Sequence, residues 1–229
     1  MIKVEFSGLD KTLAYLSGMQ KQVRYAAAVA LTRTAGAVKE AMPAVMERAL
    51  DRPTQFTKKG LFVKSASPAS MTATVGFMDR QASYLRYQIA GGTRTPGRRG
   101  IKLPGNIELN SFGNIPRGLI DKLKASAQDG TLAKGLARKL GVGNRRKGAA
   151  PIQLFYGKPT GRGWENAPMG IWRRIPGTPG KLVPVIVFED TPARYRPRFN
   201  FEREAATVVR REWDRQFALA FEQAMRTAR

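Results

Sequence analysis

Tyr25-Ala26-Ala27-Ala28-Val29-Ala30-Leu31-Thr32-Arg33-Thr34-Ala35 is the stretch from which the fold of this 229-residue chain is read. Alanine loses no side-chain entropy in a helix and is the strongest helix former. Around the run, Leu9, Leu13, Leu16, Met19 and Val23 on one side and Val38, Met42, Val45 and Met46 on the other recur at helical spacing. The pattern predicts helix from about Asp10 to about Leu50. Unbroken, it would be about 60 Å long, against a radius of gyration of about 17 Å for a compact chain of this size. It is therefore expected to kink, project or break, and Gly18, Gly36 and Pro43 are the positions where it can. A small-residue face through Ala26, Ala27, Ala30 and Gly36 permits close approach by another element, although helix propensity alone accounts equally well for the alanines.

Working outward, Ile2, Val4 and Phe6 alternate with Lys3 and Glu5, the period-two mark of a short half-buried strand. On the other side, Asp51-Arg52-Pro53-Thr54 closes the helical region, because proline disfavours helix at the residue before it. Leu61 to Lys64 and Met71 to Phe77 then read as two strands of a hairpin around Ser67-Pro68-Ala69-Ser70. Asp79 is the expected N-cap of a short helix carrying Tyr84, Leu85 and Ile89, with Gly91-Gly92 as its stop.

Beyond Thr93 the character changes, with most of the prolines, many of the glycines and most of the charge excess. Residues 91–200 hold 21 basic and 6 acidic residues, a net +15 that leaves +8 for the remainder. Two short helical patterns lie around Leu119, Ile120 and Leu123 and around Leu132, Leu136 and Leu140, before a mobile basic loop from Gly141 to Gly148. Ile152 to Tyr156, Gly170 to Ile175 and Leu182 to Phe188 read as an antiparallel meander, and Pro184 makes the last an edge strand or a bulged one.

The chain closes with a second long helix, from about Phe201 to Thr227, whose apolar stripe runs Phe201, Ala205, Val209, Trp213, Phe217, Phe221, Met225. Steps of four residues advance about 40° around a helix, so the stripe is broad: one flank can pack on the chain's own sheet and the other on a neighbour. Trp213, Phe217 and Phe221 are the candidate subunit-interface residues.

The expected fold is α+β: a long N-terminal helix and a C-terminal amphipathic helix packed on a small antiparallel sheet, with a long basic loop-rich insertion. Residues 1–92 form part of the core, 93–150 a basic arm with short helices, and 151–229 the strands and helix that complete the core.

Composition limits the chemistry. Forty Lys and Arg face seventeen Asp and Glu, net +23, with no histidine and no cysteine. Such a charge draws in phosphate backbones or acidic protein surfaces. Without His there is no side chain that ordinarily titrates near neutrality, and without Cys no thiolate nucleophile or soft metal ligand. No apolar run approaches the length of a membrane span, and no apolar stretch follows a basic leader, so a soluble, cytoplasmically made protein is expected. Glu189-Asp190 is the one adjacent acid pair considered for hydrolysis, and a solvated strand end explains it better, since a metal-dependent nuclease needs several acids and a lysine converging. The glycine pairs match no phosphate-cradling loop. No catalytic, cofactor-binding or metal-binding residue is assigned.

The basic clusters carry the remaining signal: Arg94, Arg98, Arg99 and Lys102; Arg145, Arg146 and Lys147; Arg173 and Arg174; Arg194, Arg196 and Arg198. Arg94, Arg98, Arg99, Arg145, Arg146 and Lys147 are the candidate contacts to DNA or to an acidic partner, since flexible basic loops hold a backbone without reading sequence. Phe155, Tyr156, Trp164, Trp172 and Tyr195 interleave with these clusters, but Trp172, in a strand, is more often core than a stacking platform.

Taken in order, several segments resemble the phage minor tail protein Z and virion-morphogenesis group, the tail-completion and neck proteins of tailed phages. They are Ala30-Leu31-Thr32-Arg33-Thr34-Ala35, Tyr84 to Gly92, Pro104 to Arg117, Phe155-Tyr156-Gly157-Lys158-Pro159, Gly170 to Arg174, and Tyr195 to Phe201. The basic stretch from Thr131 to Ala150 departs from the shorter members. The resemblance implies a virion protein without enzymatic activity, in tail or neck, made in the host cytoplasm and closing as a ring of six around the DNA channel. It implies contacts with head-connector and tail proteins, sequence-independent contact with packaged DNA, and basic arms that order on assembly. The charge alone supports a second reading, a non-specific nucleic-acid-binding protein.

Overall fold

A computed structural model describes residues 3–6, 20–98, 100–132, 135–141, 152–178 and 180–227. The chain forms two compact units, Met1–Gly92 with Tyr195–Arg229, and Thr93–Arg194.

The first unit is built on helix α1, Gln20–Ala49, which runs without interruption through Gly36 and Pro43. A proline inside a helix costs about 3 kcal/mol. Here Met42, Val45 and Met46 beside it are buried in the core, which offsets that cost. The expected N-terminal part of this helix, with Gly18, lies outside the described residues. The closing helix, Phe201–Thr227, is numbered last below; its Phe201, Ala205 and Val208 share a core with Val38, Met42 and Met46. At its other end Ala220 and Ala224 meet Ala26 and Ala30. The alanine face of α1 is thus a helix-packing seam, while a side chain on Gly36 would meet nothing within 4 Å, so Gly36 takes no part in it.

Strands β1 (Lys3–Phe6), β2 (Leu61–Lys64) and β3 (Ala73–Phe77) make an antiparallel sheet in the order β1-β3-β2. Val75 pairs with Val4 on one side and Val63 on the other. Between α1 and β2 lies one short turn, α2 (Gln55–Lys58), capped by Thr54, whose hydroxyl accepts from the Thr57 amide at 3.2 Å. Thr32 ties α1 to the hairpin: its hydroxyl donates to the Ala28 carbonyl at 2.9 Å and accepts from the Ala66 amide at 3.0 Å.

Helix α3 spans Asp79–Ile89, and its N-cap is Met78 instead of the expected Asp79. The Met78 amide donates to the Gly60 carbonyl at 2.8 Å, which pins the strand end and starts the helix one residue early. Asp79 then sits in the first turn, where a carboxylate complements the helix dipole. The expected stop holds: Gly91 has φ +71°, and a Cβ there would lie 2.9 Å from Pro197 Cδ.

Where the chain leaves and re-enters the first unit, β4 (Gly92–Arg94) pairs with β9 (Ala193–Tyr195). The second unit holds a four-stranded antiparallel sheet, β5 (Ile101–Pro104), β6 (Leu154–Gly157), β7 (Met169–Arg174) and β8 (Leu182–Glu189), in the order β5-β8-β7-β6. Helices α4 (Leu119–Asp129) and α5 (Leu136–Lys139) supply Leu119, Leu123 and Leu136, which pack on Leu154, Ile171, Ile186 and Phe188. The last helix, Phe201–Thr227, is α6.

The meander β6-β7-β8 is present, and β5, absent from the sequence reading, pairs outside β8 and makes it a central strand. Of the two roles open to Pro184, the bulge holds: Ile171 faces Ile186 but Trp172 faces Pro184, leaving Val185 as the extra residue. The sequence reading divides the chain at 150 and joins the later strands to the first core. In the structure these strands belong with residues 93–141 and have their own core. Strand alternation marks a face to be covered without saying which helix covers it.

Candidate functional site

The second unit concentrates charge: residues 93–194 hold 19 basic and 6 acidic residues, net +13. Cross-strand pairing places Lys102, Phe188 and Met169 in one row across β5, β8 and β7. Helix α4 lies over the same face, and its amphipathic spacing puts Ile120 and Lys124 one turn apart along one wall. Lys124 Nζ stands 4.5 Å from the ring centre of Tyr156 and 5.3 Å from that of Phe188, and the two rings meet edge to face at 6.1 Å. The rings hold the ammonium by the attraction of a cation for an aromatic face.

The opposite rim is a turn. Gly100, at φ +64°, donates its amide to the Gly97 carbonyl, and a Cβ there would lie 3.1 Å from the Glu189 carbonyl oxygen. Glycine is required for both reasons, and through it Arg98 comes to the same cleft as Asp190.

The cleft has a volume of about 740 Å³. Its cations are Arg98, Lys102, Arg117 and Lys124, and its acids Asp121 and Asp190. None of the four cations forms an ion pair with a described residue. Like charges gathered in a concavity with low-dielectric walls focus a positive potential on it. A smaller concavity of about 490 Å³ alongside is lined by Arg94, Arg98 and Lys102.

Of the sequence candidates, Arg94 and Arg98 therefore come together with Lys102, whereas Arg99, Arg145, Arg146 and Lys147 lie outside the described residues. Arg174 lies 6.0 Å over Phe155. Trp172 is core, 4% exposed, with its indole N–H donated to the Gly157 carbonyl and Trp164 set edge-on at 5.4 Å. Arg117 and Lys124 escaped the sequence reading, because neither belongs to a run of basic residues. The available signal was the position of Lys124 beside the stripe of Ile120 and Leu123.

Glu189 closes its own turn: Oε1 accepts from the Thr191 hydroxyl at 2.6 Å and from the Thr191 amide at 3.0 Å. These bonds, the hydroxyl's first, hold its carboxyl below the usual range. A depressed carboxylate contributes stability above its unfolded pKa of about 4.3 and loses it as pH falls through the folded value. Glu189→Gln is thus expected to lower the melting temperature at pH 7, with the difference from the parent narrowing as pH falls below about 4.3. A difference that stays constant through the acid range would mean that the charge is not what the turn uses.

On α6, Trp213 and Phe217 stack at 5.6 Å and Phe217 and Phe221 at 6.1 Å. This ladder packs one side against the Ala26/Ala30 seam and is half-buried, with Tyr25 and Leu219, 54% and 47% exposed, on the same helix pair. Among the described residues no cluster of three acids is placed to hold a metal, and no helix is long and apolar enough to cross a membrane. Comparison of the chain with protein-family models, with curated proteins and with solved structures gives no match.

Proposed function

We propose that the chain is a structural component of a tailed-phage virion, a tail-completion, neck or minor tail protein whose copies close into a ring of six around the DNA channel, without enzymatic activity. The observation that carries this reading is net positive charge gathered on one folded unit, whose four cleft cations form no ion pair with a described residue. Charge so arranged is neutralised from outside, by packaged DNA or by acidic faces of connector and tail proteins. The ordered resemblance of the segments from Ala30 to Phe201 supports the location, and the half-buried ladder of Trp213, Phe217 and Phe221 supplies an apolar edge for the next subunit.

Mass spectrometry of purified particles, with electron microscopy of assembled tails, tests the location: the chain is expected in stoichiometric amount, and its absence from particles ends the reading. Phe217→Glu is expected to weaken self-association at least about 30-fold, as loss of an interface anchor does, measured by sedimentation velocity. A chain that sediments as a monomer whether or not Phe217 is changed refutes the ring. The nucleic-acid reading makes a separate demand, a log affinity falling with log salt by about 0.9 per phosphate neutralised on duplex DNA.

A further inference from the structure

We infer that the cleft of the second unit binds a short acidic peptide segment carrying an apolar side chain, presented by a partner protein. The inference deepens the reading above, since it names what this part of the cationic unit holds, and it rests on that reading only for the existence of an acidic neighbour.

Three features separate such a segment from a phosphate backbone. The first is the floor. Ile115, Ile120, Met169 and Phe188 line the cleft between the cations, and a phosphodiester backbone has no apolar group to place there, whereas a leucine or phenylalanine side chain gains by leaving water. The second is the mixture of charge. Asp121 and Asp190 stand among Arg98, Lys102, Arg117 and Lys124. A DNA duplex, with one negative charge about every 1.7 Å of axis, is repelled by those carboxylates. A peptide can instead turn its carboxylates to the cations and donate backbone amides to the two aspartates. The third is size. About 740 Å³ is the scale of clefts that enclose drug-sized ligands, and a duplex would touch only the rim.

The position of Lys124 gives the cleft its geometry. Packed over Tyr156 and Phe188, its ammonium is held on the α4 wall of the cleft that Lys102 of β5 also lines. Side chains two residues apart on an extended peptide point the same way, so the apolar residues of an alternating segment share the face that meets the floor, while the long side chains of its glutamates bend from the flanks to the cations at the rim, Arg98 and Arg117, both exposed.

The test uses the full chain and three labelled probes at one ionic strength: an octapeptide alternating Glu with Leu, an octaglutamate, and an oligothymidine of eight nucleotides, read by fluorescence anisotropy. The alternating peptide is expected to bind about tenfold tighter than either of the others. Lys124→Met keeps the packing over the rings and removes the charge, and Arg98→Glu with Arg117→Glu changes only exposed side chains; each is expected to weaken the peptide about tenfold or more. Lys181→Glu, an exposed site of the same unit outside the cleft, should change it less than about twofold. Thermal melts confirm that each variant is folded. Octaglutamate binding as tightly as the alternating peptide, peptide binding indifferent to Lys124→Met, or oligothymidine binding tightest and losing affinity with the cleft variants would each overturn the inference. These measurements are made in solution, so their outcome is separate from whether the chain is found in particles.

Discussion

Phe77→Ala is expected to destabilise the first unit by about 3–5 kcal/mol, the cost of truncating a buried phenylalanine when the cavity collapses only in part. Phe77 is fully buried at the end of β3, and its ring meets Phe201 at 5.0 Å and Phe199 at 6.2 Å, while those two rings meet each other at 6.0 Å. The three rings join the sheet to the start of α6, so one truncation removes contacts on both elements. Equilibrium denaturation measures the loss, and hydrogen exchange locates it in the amides of residues 73–77. Phe77→Leu, which keeps most of the volume, should cost less than about 1.5 kcal/mol. Were the alanine variant to lose under about 1 kcal/mol, the three rings would not be packed as described.

Gly105→Ala is expected to cost about 2–6 kcal/mol in the second unit. A Cβ at this position would lie 2.4 Å from the Pro184 carbonyl oxygen and 2.9 Å from its carbon. These are backbone atoms, which cannot rotate away as a side chain can. Relief requires the strands to part at the bulge, where the Gly105 amide donates to Val185 at 2.9 Å and the Asn106 amide to Pro184 at 2.8 Å. Overpacking strain of about 1–3 kcal/mol adds to hydrogen bonds worth about 0.5–1.5 kcal/mol each. The same substitution at Gly36 should have the opposite sign, stabilising by up to about 1 kcal/mol, because the site is helical and open. Melting of the two variants side by side, with exchange rates at residues 101–106, decides the matter; equal effects would mean that the close approach at Gly105 is absent.

The helices and the hairpin were readable because each is a local pattern. Leu31, Ala35, Val38 and Met42 repeat at the helical period, and the stripe of α6 runs from Phe201 as expected. Strand β5 was not readable: Ile101-Lys102-Leu103-Pro104 is four residues long, ends in proline and is more than half polar or exposed, so nothing local marks it. It forms because β8, paired with β7 on one side, has a second edge to be covered, a fact about a partner more than 80 residues away. The N-cap of α3 shifted to Met78 for a similar reason, since a backbone bond to Gly60 outweighed the side-chain preference for Asp79.

The candidate site divides the same way. Arg98 and Lys102 were visible as part of a cluster along the chain. Lys124, Arg117, Tyr156 and Phe188 reach the same cleft from a helix, a loop and two other strands, and no spacing connects them. By itself the sequence determined the sign of the charge, the absence of histidine and cysteine chemistry, the two long helices and the periods of most strands, because these depend on residue type and on neighbours within a few positions. Which helices cover which sheet, where the chain divides into units, and which cations share a cavity were decided only by tertiary packing, because burial energy depends on surfaces brought together from distant parts of the chain and leaves no periodic trace along it.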